Sequence, residues 1–252
     1  MSDKVQSVDR VFDIIDALSA FPRGLALSDL AEQVGLHVST TYRLLGMLVS
    51  RGYAAKDVES GKYRLTLRMF EIGSRIAAST NLVSAARPFL EYLADLTGET
   101  IHLVLRDRDE IVYMYKDSRP EMEGRTASFV GLRAPMYCTG VGKAILAALP
   151  ENEVREIWSR THIIKFTPQT ITTYAALRRE LELVRQQGYA IDNEEHEKGV
   201  RCVASVITDY DRRPVAAMSI SAPADSMSEE RIIDLSAHIR GATARISALL
   251  GS

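Results

Sequence analysis

A chain of 252 residues, 46% of them hydrophobic, is long enough for one large or two smaller globular domains. Its formal net charge of −2 excludes a globally basic nucleic-acid binder, and two cysteines without CxxC spacing exclude a disulfide framework. No stretch reaches the roughly 20 apolar residues that span a bilayer, and "MSDKVQSVDRVFDII" opens on acids rather than a signal core, so the expected address is cytoplasmic.

Val8, Val11, Phe12, Ile15 and Leu18 recur at helical spacing and predict a first helix, capped at Ser7 and ended by "FPRG" at 21–24. A short second helix starts at Ser28 and turns Leu30, Ala31 and Val34 inward, and Gly35 takes the sharp reversal after it. A third helix runs from a cap at Ser39 to Ser50. Its Thr41, Leu44, Leu45 and Leu48 share one face, while Thr40, Arg43 and Met47 lie opposite, with His37 and Ser39 at the amino end. This is the order of a helix-turn-helix, whose second helix enters the major groove and reads bases with its first residues. The pattern alone is weak, since small helical bundles share it.

Two strand-like runs, "GYAAK" (52–56) and "KYRLT" (62–66), flank "DVESG", where Ser60-Gly61 suits a hairpin turn. A hairpin after the third helix is a wing, with Lys62 and Arg64 placed to face phosphates and Tyr63 and Leu65 to pack down. Residues 37–68 carry six basic side chains against two acidic ones, a local +4. Charge alone favours a solvated helical face; helix triplet plus basic wing favours DNA. The candidate contacts are His37, Ser39, Thr40, Tyr42, Arg43, Lys62 and Arg64. "LRMFEIGSRIAAS" (67–79) then spreads apolar residues over more than one face, as a helix clasped between partners does, and reads as a dimerising linker.

Further on, a helix over 82–97, broken near Pro88, precedes alternating strands at 99–106 and 110–117 around the turn "DRDE". Helices follow at about 141–148, 151–159 and 173–187, then two β-rich runs around "DYDRR" and a closing helix at 228–250. Strand pairs alternating with helices predict an α+β domain with an antiparallel sheet.

"GLHVSTTYRLLGMLVSRGYAAKDVESGKYRLTLRMFEIGSR", "GLRAPMYCTGVGKAILA" and "DNEEHEKGVRCVASVITDYDRRPVAAMSISAP" together resemble the IclR family of bacterial transcriptional regulators, in order and over nearly the whole chain. The sequence is most similar in character to sugar-acid-responsive members, such as the repressor that senses 2-keto-3-deoxygluconate. The resemblance implies a winged helix-turn-helix (1–66), a linker and dimerisation helix (67–80), and a GAF-like α/β effector domain (81–252). It also implies operator DNA and a small carboxylate effector as partners, a homodimer or dimer-of-dimers tetramer, and no cofactor.

The polar window "YAIDNEEHEKGVRCVA" (189–204) admits three readings. An enzyme needs a convergent pair of catalytic groups, whereas Glu194, Glu195, His196 and Glu197 in extended chain would point alternately to opposite sides. A metal needs three or four ligands with supporting partners, and His196 with acids is a partial set. Cys202 reads equally as a small buried hydrophobe. The resemblance decides for a ligand pocket, and implies that Gly140, Val141, Asp192, Cys202, Ser219 and Ser221 line it, with Glu123 and Thr126 adding polar wall. The chemistry agrees: a helix N-terminus at Gly140 and Val141 suits a carboxylate, and Ser219 and Ser221, two apart on a strand, share a face. Val141 departs from "TAxGK" and "SGAGK", the forms common in the family, and adds bulk there.

Overall fold

The structure, a computed structural model, describes residues 5–79, 81–117 and 126–252, with the backbone alone for 74–79 and 81. Two compact units divide the chain, Met1–Ser79 and Thr80–Ser252.

The first unit packs α1 (Gln6–Ser19), α2 (Leu27–Gln33) and α3 (Val38–Ser50) with a two-stranded antiparallel hairpin, β1 (Ala54–Lys56) and β2 (Tyr63–Leu65). Ile14, Leu18, Leu30, Leu44, Leu45, Leu48, Ala54 and Tyr63 form its core. Thr41, Leu44, Leu45 and Leu48 are the buried face of α3, as their spacing predicts. In α1 the buried stripe runs instead through Ile14 and Leu18, flanked by Val11 and Ile15, and leaves Val8 and Phe12 exposed. The serine caps are also corrected: Val5 and His37 occupy the N-cap positions of α1 and α3, with no side-chain cap bond, so Ser7 and Ser39 lie inside the first turn. Gly24 is required where it stands. Its φ is +79°, and a Cβ would sit 2.8 Å from the Tyr63 carbonyl oxygen, beside the Leu25–Tyr63 bridge that ties the wing to the helices. α4 (Leu67–Ser79) closes the unit.

The second unit is built on a six-stranded antiparallel sheet, ordered β5-β4-β3-β8-β7-β6. Its strands are β3 (Thr100–Asp107), β4 (Glu110–Asp117), β5 (Arg133–Pro135), β6 (Ala190–Asn193), β7 (Val200–Thr208) and β8 (Pro214–Pro223). One face is covered by α5 (Asn81–Thr97) and α9 (Glu229–Leu249), through Leu90, Leu93, Ile239 and Ile246 against Leu103, Val203, Met218 and Ile220. The other is covered by α6 (Gly140–Ala148), α7 (Glu151–Arg160) and α8 (Tyr174–Gln187). The break expected at Pro88 does not occur. Leu82, Ala86, Leu90 and Leu93 are buried on both sides of it, and at roughly 1.5–3 kcal/mol per large apolar side chain their burial outweighs the ~3 kcal/mol of an interior proline. β5 and β6 escape sequence patterning because they are edge strands of 3 and 4 residues.

Candidate functional site

The DNA-facing candidates lie on the exposed side of the first unit. His37, Ser39, Tyr42 and Arg43 are exposed, Tyr42 by 61%, and Thr40 is half-buried. In the wing Tyr63 is buried while Lys62 and Arg64 are exposed, so the alternation turns both cations outward. The hairpin tip is tied by Asp57, whose carboxylate accepts the backbone N–H and hydroxyl of Ser60, each at 2.8 Å. Those two bonds hold the Asp57 carboxyl below its ordinary range.

In the second unit, Gly140, Val141, Asp192, Cys202, Ser219, Ser221 and Thr126 line one cavity of about 50 Å³. Glu123 lies outside the described residues. Two glycines set how closely α6 packs, Gly142 against the loop that precedes it and Gly140 against the sheet. A Cβ on Gly142 would stand 2.3 Å from Met136 Cα, and one on Gly140 would stand 3.0 Å from Cys202 Sγ and 3.3 Å from Ala204 Cβ. The helix therefore presents its amino end directly above β7. Thr139 caps that end, its Oγ1 accepting the Gly142 N–H at 3.2 Å. Gly140 and Val141, first in the helix, line the cavity at the end where the helix dipole favours an anion.

The sheet supplies the floor as two adjacent rows of cross-strand neighbours, which share a face. One row is Asp192, Cys202, Ser221 and Thr100; the other is Ala204, Ser219, His102 and Lys116. Ser219 and Ser221 do point to one face, and both are buried. Burial pushes the Cys202 thiol well above its usual range, so it packs as a small hydrophobe rather than serving as a nucleophile.

The expectation that residues 194–197 alternate in an extended strand is corrected. β6 ends at Asn193, Glu194 takes a φ of +58°, and the chain turns until β7 begins at Val200. The turn drives Glu195 inward, where its carboxylate pairs with Lys143, a lysine with no exposed surface that also bonds Glu180 at 2.9 Å. Burial opposes the charge on Lys143, but the carboxylates of Glu195 and Glu180 outweigh it and hold its pKa above the ordinary lysine value. Thr167 and Thr170 pin the turn from outside, donating to the Glu194 and Glu195 carbonyls at 2.7 Å each. Asp192 accepts the Glu195 N–H at 2.7 Å, and burial, only partly offset by Lys143, pushes its carboxyl up to about 7.

Sequence reasoning missed His102 and Ser128 in the wall of this cavity, and Lys143 beside it. His102 approaches Ser128 Oγ at 2.8 Å and both Ser219 and Ser221 Oγ at 3.3 Å, with its ring edge-on to Tyr113 at 5.2 Å. Ser128 belongs to the segment after residue 125, joined to the 194–199 turn where the Ala127 N–H donates to Glu197 at 3.2 Å. His196 stacks on Phe166 at the rim. Lys143 had a visible signal, a lone cation in "TGVGKAILAAL"; His102, one polar residue within the apolar run "IHLVL", had almost none. Among the described residues no three His, Cys, Asp or Glu side chains are grouped to hold a metal ion.

Known proteins match both units. Residues 7–58 match the IclR helix-turn-helix domain and residues 74–248 match the bacterial transcriptional regulator IclR C-terminal family. The HTH-type transcriptional regulator KdgR of Escherichia coli is 40% identical over 250 residues, covering 99% of this chain and 94% of that protein. The acetate operon repressor of Salmonella typhimurium is 32% identical over 252 residues, covering 100% and 92%. The crystal structure of the Thermotoga maritima IclR superposes with a TM-score of 0.84 at 33% identity, covering 99% of this chain and all of that one. The chain belongs to the IclR family of DNA-binding transcriptional regulators, proteins that join a helix-turn-helix to an effector domain and are not enzymes.

Proposed function

We propose that the chain is a repressor of a catabolic operon that binds a palindromic operator as a dimer, or as a dimer of dimers, and answers to a small sugar acid or keto acid. Thr40 and Arg43 read base edges, flanked by His37, Ser39 and Tyr42, while Lys62 and Arg64 hold phosphates. Residues 67–79 clasp the second copy; Leu67 and Phe70, 78% and 71% exposed in the single chain, support that role.

The observation that carries the effector reading is convergence: seven residues from five separate places in the sequence line one cavity. The ligand carboxylate takes the Gly140 and Val141 N–H groups. Asp192, its carboxyl pushed up to about 7 by burial and so about half neutral at pH 7, bonds a ligand hydroxyl with less repulsion of that carboxylate than an ordinary aspartate would give. Thr126 extends the polar wall.

Size sharpens this reading. A cavity of about 50 Å³ holds a few waters, so a six-carbon sugar acid has to displace a wall, and the contact between Ala127 and Glu197 is the one closest to hand. Displacement of that kind gives the ligand a preference between two states, without which it shifts no equilibrium. The same small volume favours a second reading, an architectural DNA-binding protein with no effector.

A thermal-shift screen of sugar acids and keto acids separates the two. The effector reading expects at least one acid to raise the melting temperature of the wild type and to fail with Asp192→Ala. Stabilisation by the same acid in Asp192→Ala and Ser221→Ala alike puts the pocket elsewhere.

A further inference from the structure

A file of hydrogen bonds runs from a cation to the β8 wall of the cavity. Lys116 Nζ lies 3.0 Å from Thr126 Oγ1, Thr126 Oγ1 lies 3.0 Å from Ser128 Oγ, and Ser128 Oγ lies 2.8 Å from His102 Nε2. On the far side of the ring, His102 Nδ1 stands 3.3 Å from both Ser219 and Ser221 Oγ. Each hydroxyl along this path is both donor and acceptor, so its direction is open until one end is fixed. Lys116 biases it, because an ammonium only donates and so occupies one of the two lone pairs of Thr126 Oγ1. Its charge draws the oxygen of each neighbouring hydroxyl towards it and turns the proton away, and successive bonds polarise one another in the same sense. Thr126 then donates to Ser128, and Ser128 donates to His102 Nε2.

His102 is buried, and burial followed by the Lys116 charge pushes its pKa down to about 3. A neutral imidazole carries one N–H. With Nε2 accepting from Ser128, that proton sits on Nδ1, shared between Ser219 and Ser221. Both serines accept it, and their own protons remain for the cavity.

We propose that the Lys116–Thr126–Ser128 relay holds His102 as its Nδ1–H tautomer and makes it a specificity-determining residue, so that the β8 wall presents two donors. Such a wall favours the carbonyl oxygen of a 2-oxo acid over the hydroxyl of a 2-hydroxy acid, whose proton competes with the Nδ1–H for the serine oxygens or has to turn to Asp192. The preference rests on the effector reading above; the tautomer does not.

Long-range 1H–15N correlation on the full-length, 15N-histidine-labelled protein reads the tautomer directly, with His102 assigned by its loss in His102→Asn. The expected wild-type result is a protonated Nδ1 and an unprotonated Nε2. Lys116→Met should move His102 towards the Nε2–H form, and Thr126→Val, which breaks the relay without removing the charge, should do the same. A wild-type Nε2–H form, or a tautomer unchanged in both variants, overturns the proposal.

Calorimetry with pyruvate and L-lactate as probes tests the consequence. The wild type should favour pyruvate by about tenfold or more, the cost of leaving one buried polar group unpaired. Lys116→Met should narrow the preference below about threefold, and His102→Asn, whose amide replaces the Nδ1–H donor, should keep it. Equal binding of the two acids by a wild type in the Nδ1–H form overturns the specificity claim. Binding of neither acid by that form overturns the specificity claim, while the tautomer stands and the effector reading is decided by the thermal-shift screen.

Discussion

The proposed DNA-facing surface and the proposed effector cavity carry their chemistry in opposite ways. Arg43, Lys62 and Arg64 sit on one helix and one hairpin, exposed, and the core beneath them is made by other residues, Leu44, Leu45, Leu48 and Tyr63. The cavity draws on β3, β4, the segment after residue 125, α6, β6, the 194–199 turn, β7 and β8, and its polar side chains are largely buried. A protein can therefore change its operator cheaply, one exposed side chain at a time. Changing the ligand means altering groups that also hold the domain together.

The largest expected effect tests that asymmetry where it is sharpest. Lys143→Ala strands the Glu195 carboxylate in the interior, a loss of about 3–5 kcal/mol, read as a lower denaturant midpoint for the second unit. Because an apolar pair of similar volume replaces a buried ion pair at little cost, Lys143→Met combined with Glu195→Gln should recover most of it. If the double variant is no more stable than Lys143→Ala, the ion pair is not the cause.

Glycine substitutions should change sign between the two regions. Gly142→Ala forces a Cβ against the Met136 backbone and should cost about 1–3 kcal/mol or more. Gly46, in the middle of α3, would put its Cβ in open space, so Gly46→Ala should stabilise by up to about 1 kcal/mol. Thermal melts of the two variants that shift in the same direction break the comparison.

At the DNA surface, Arg43→Ala should weaken specific operator binding by about 1–3 kcal/mol if it reads a guanine, with the melting temperature unchanged. Lys62→Ala should lower the salt slope of binding by about one unit across sequences. A melting temperature that falls with either variant would make these side chains structural.

A smaller effect concerns pH. Asp192 has its carboxyl pushed up to about 7 by burial, well above the ordinary 3.8. Below pH 7 it is neutral and tolerates a ligand carboxylate; above it the ionised group repels one. Effector affinity should therefore fall between pH 6 and pH 8, by at most about tenfold per unit, and Asp192→Asn should flatten the profile. Stability runs the same way: the contribution of a raised carboxyl is full below about pH 4 and is lost as pH rises through about 7.

What the sequence disclosed follows from range. The buried face of α3, the outward cations of the wing and the shared face of Ser219 and Ser221 are consequences of 3.6- and 2-residue periods, which act between neighbours. The continuous helix through Pro88 depends on burial against α9 and the sheet, which no local window contains. Glu195 was misplaced because the window was read as strand, when a positive φ at Glu194 and two threonines near residue 170 make it a turn. His102 was missed altogether, since Ser219 and Ser221 reach it across 117 and 119 residues of chain. The family resemblance supplied the rest of the cavity, including residues that periodicity alone would have left as core.

The central claim is that ligand in the cavity and DNA on the helix-turn-helix are linked, and linkage is reciprocal. The most direct measurement is calorimetry of the effector found by the thermal-shift screen, with and without saturating operator, beside operator binding with and without saturating effector. The expected result is the same factor in both directions, about 5–150-fold, abolished in Asp192→Ala while effector-free operator affinity stays near wild type. Effector affinity that is identical with and without operator would contradict it.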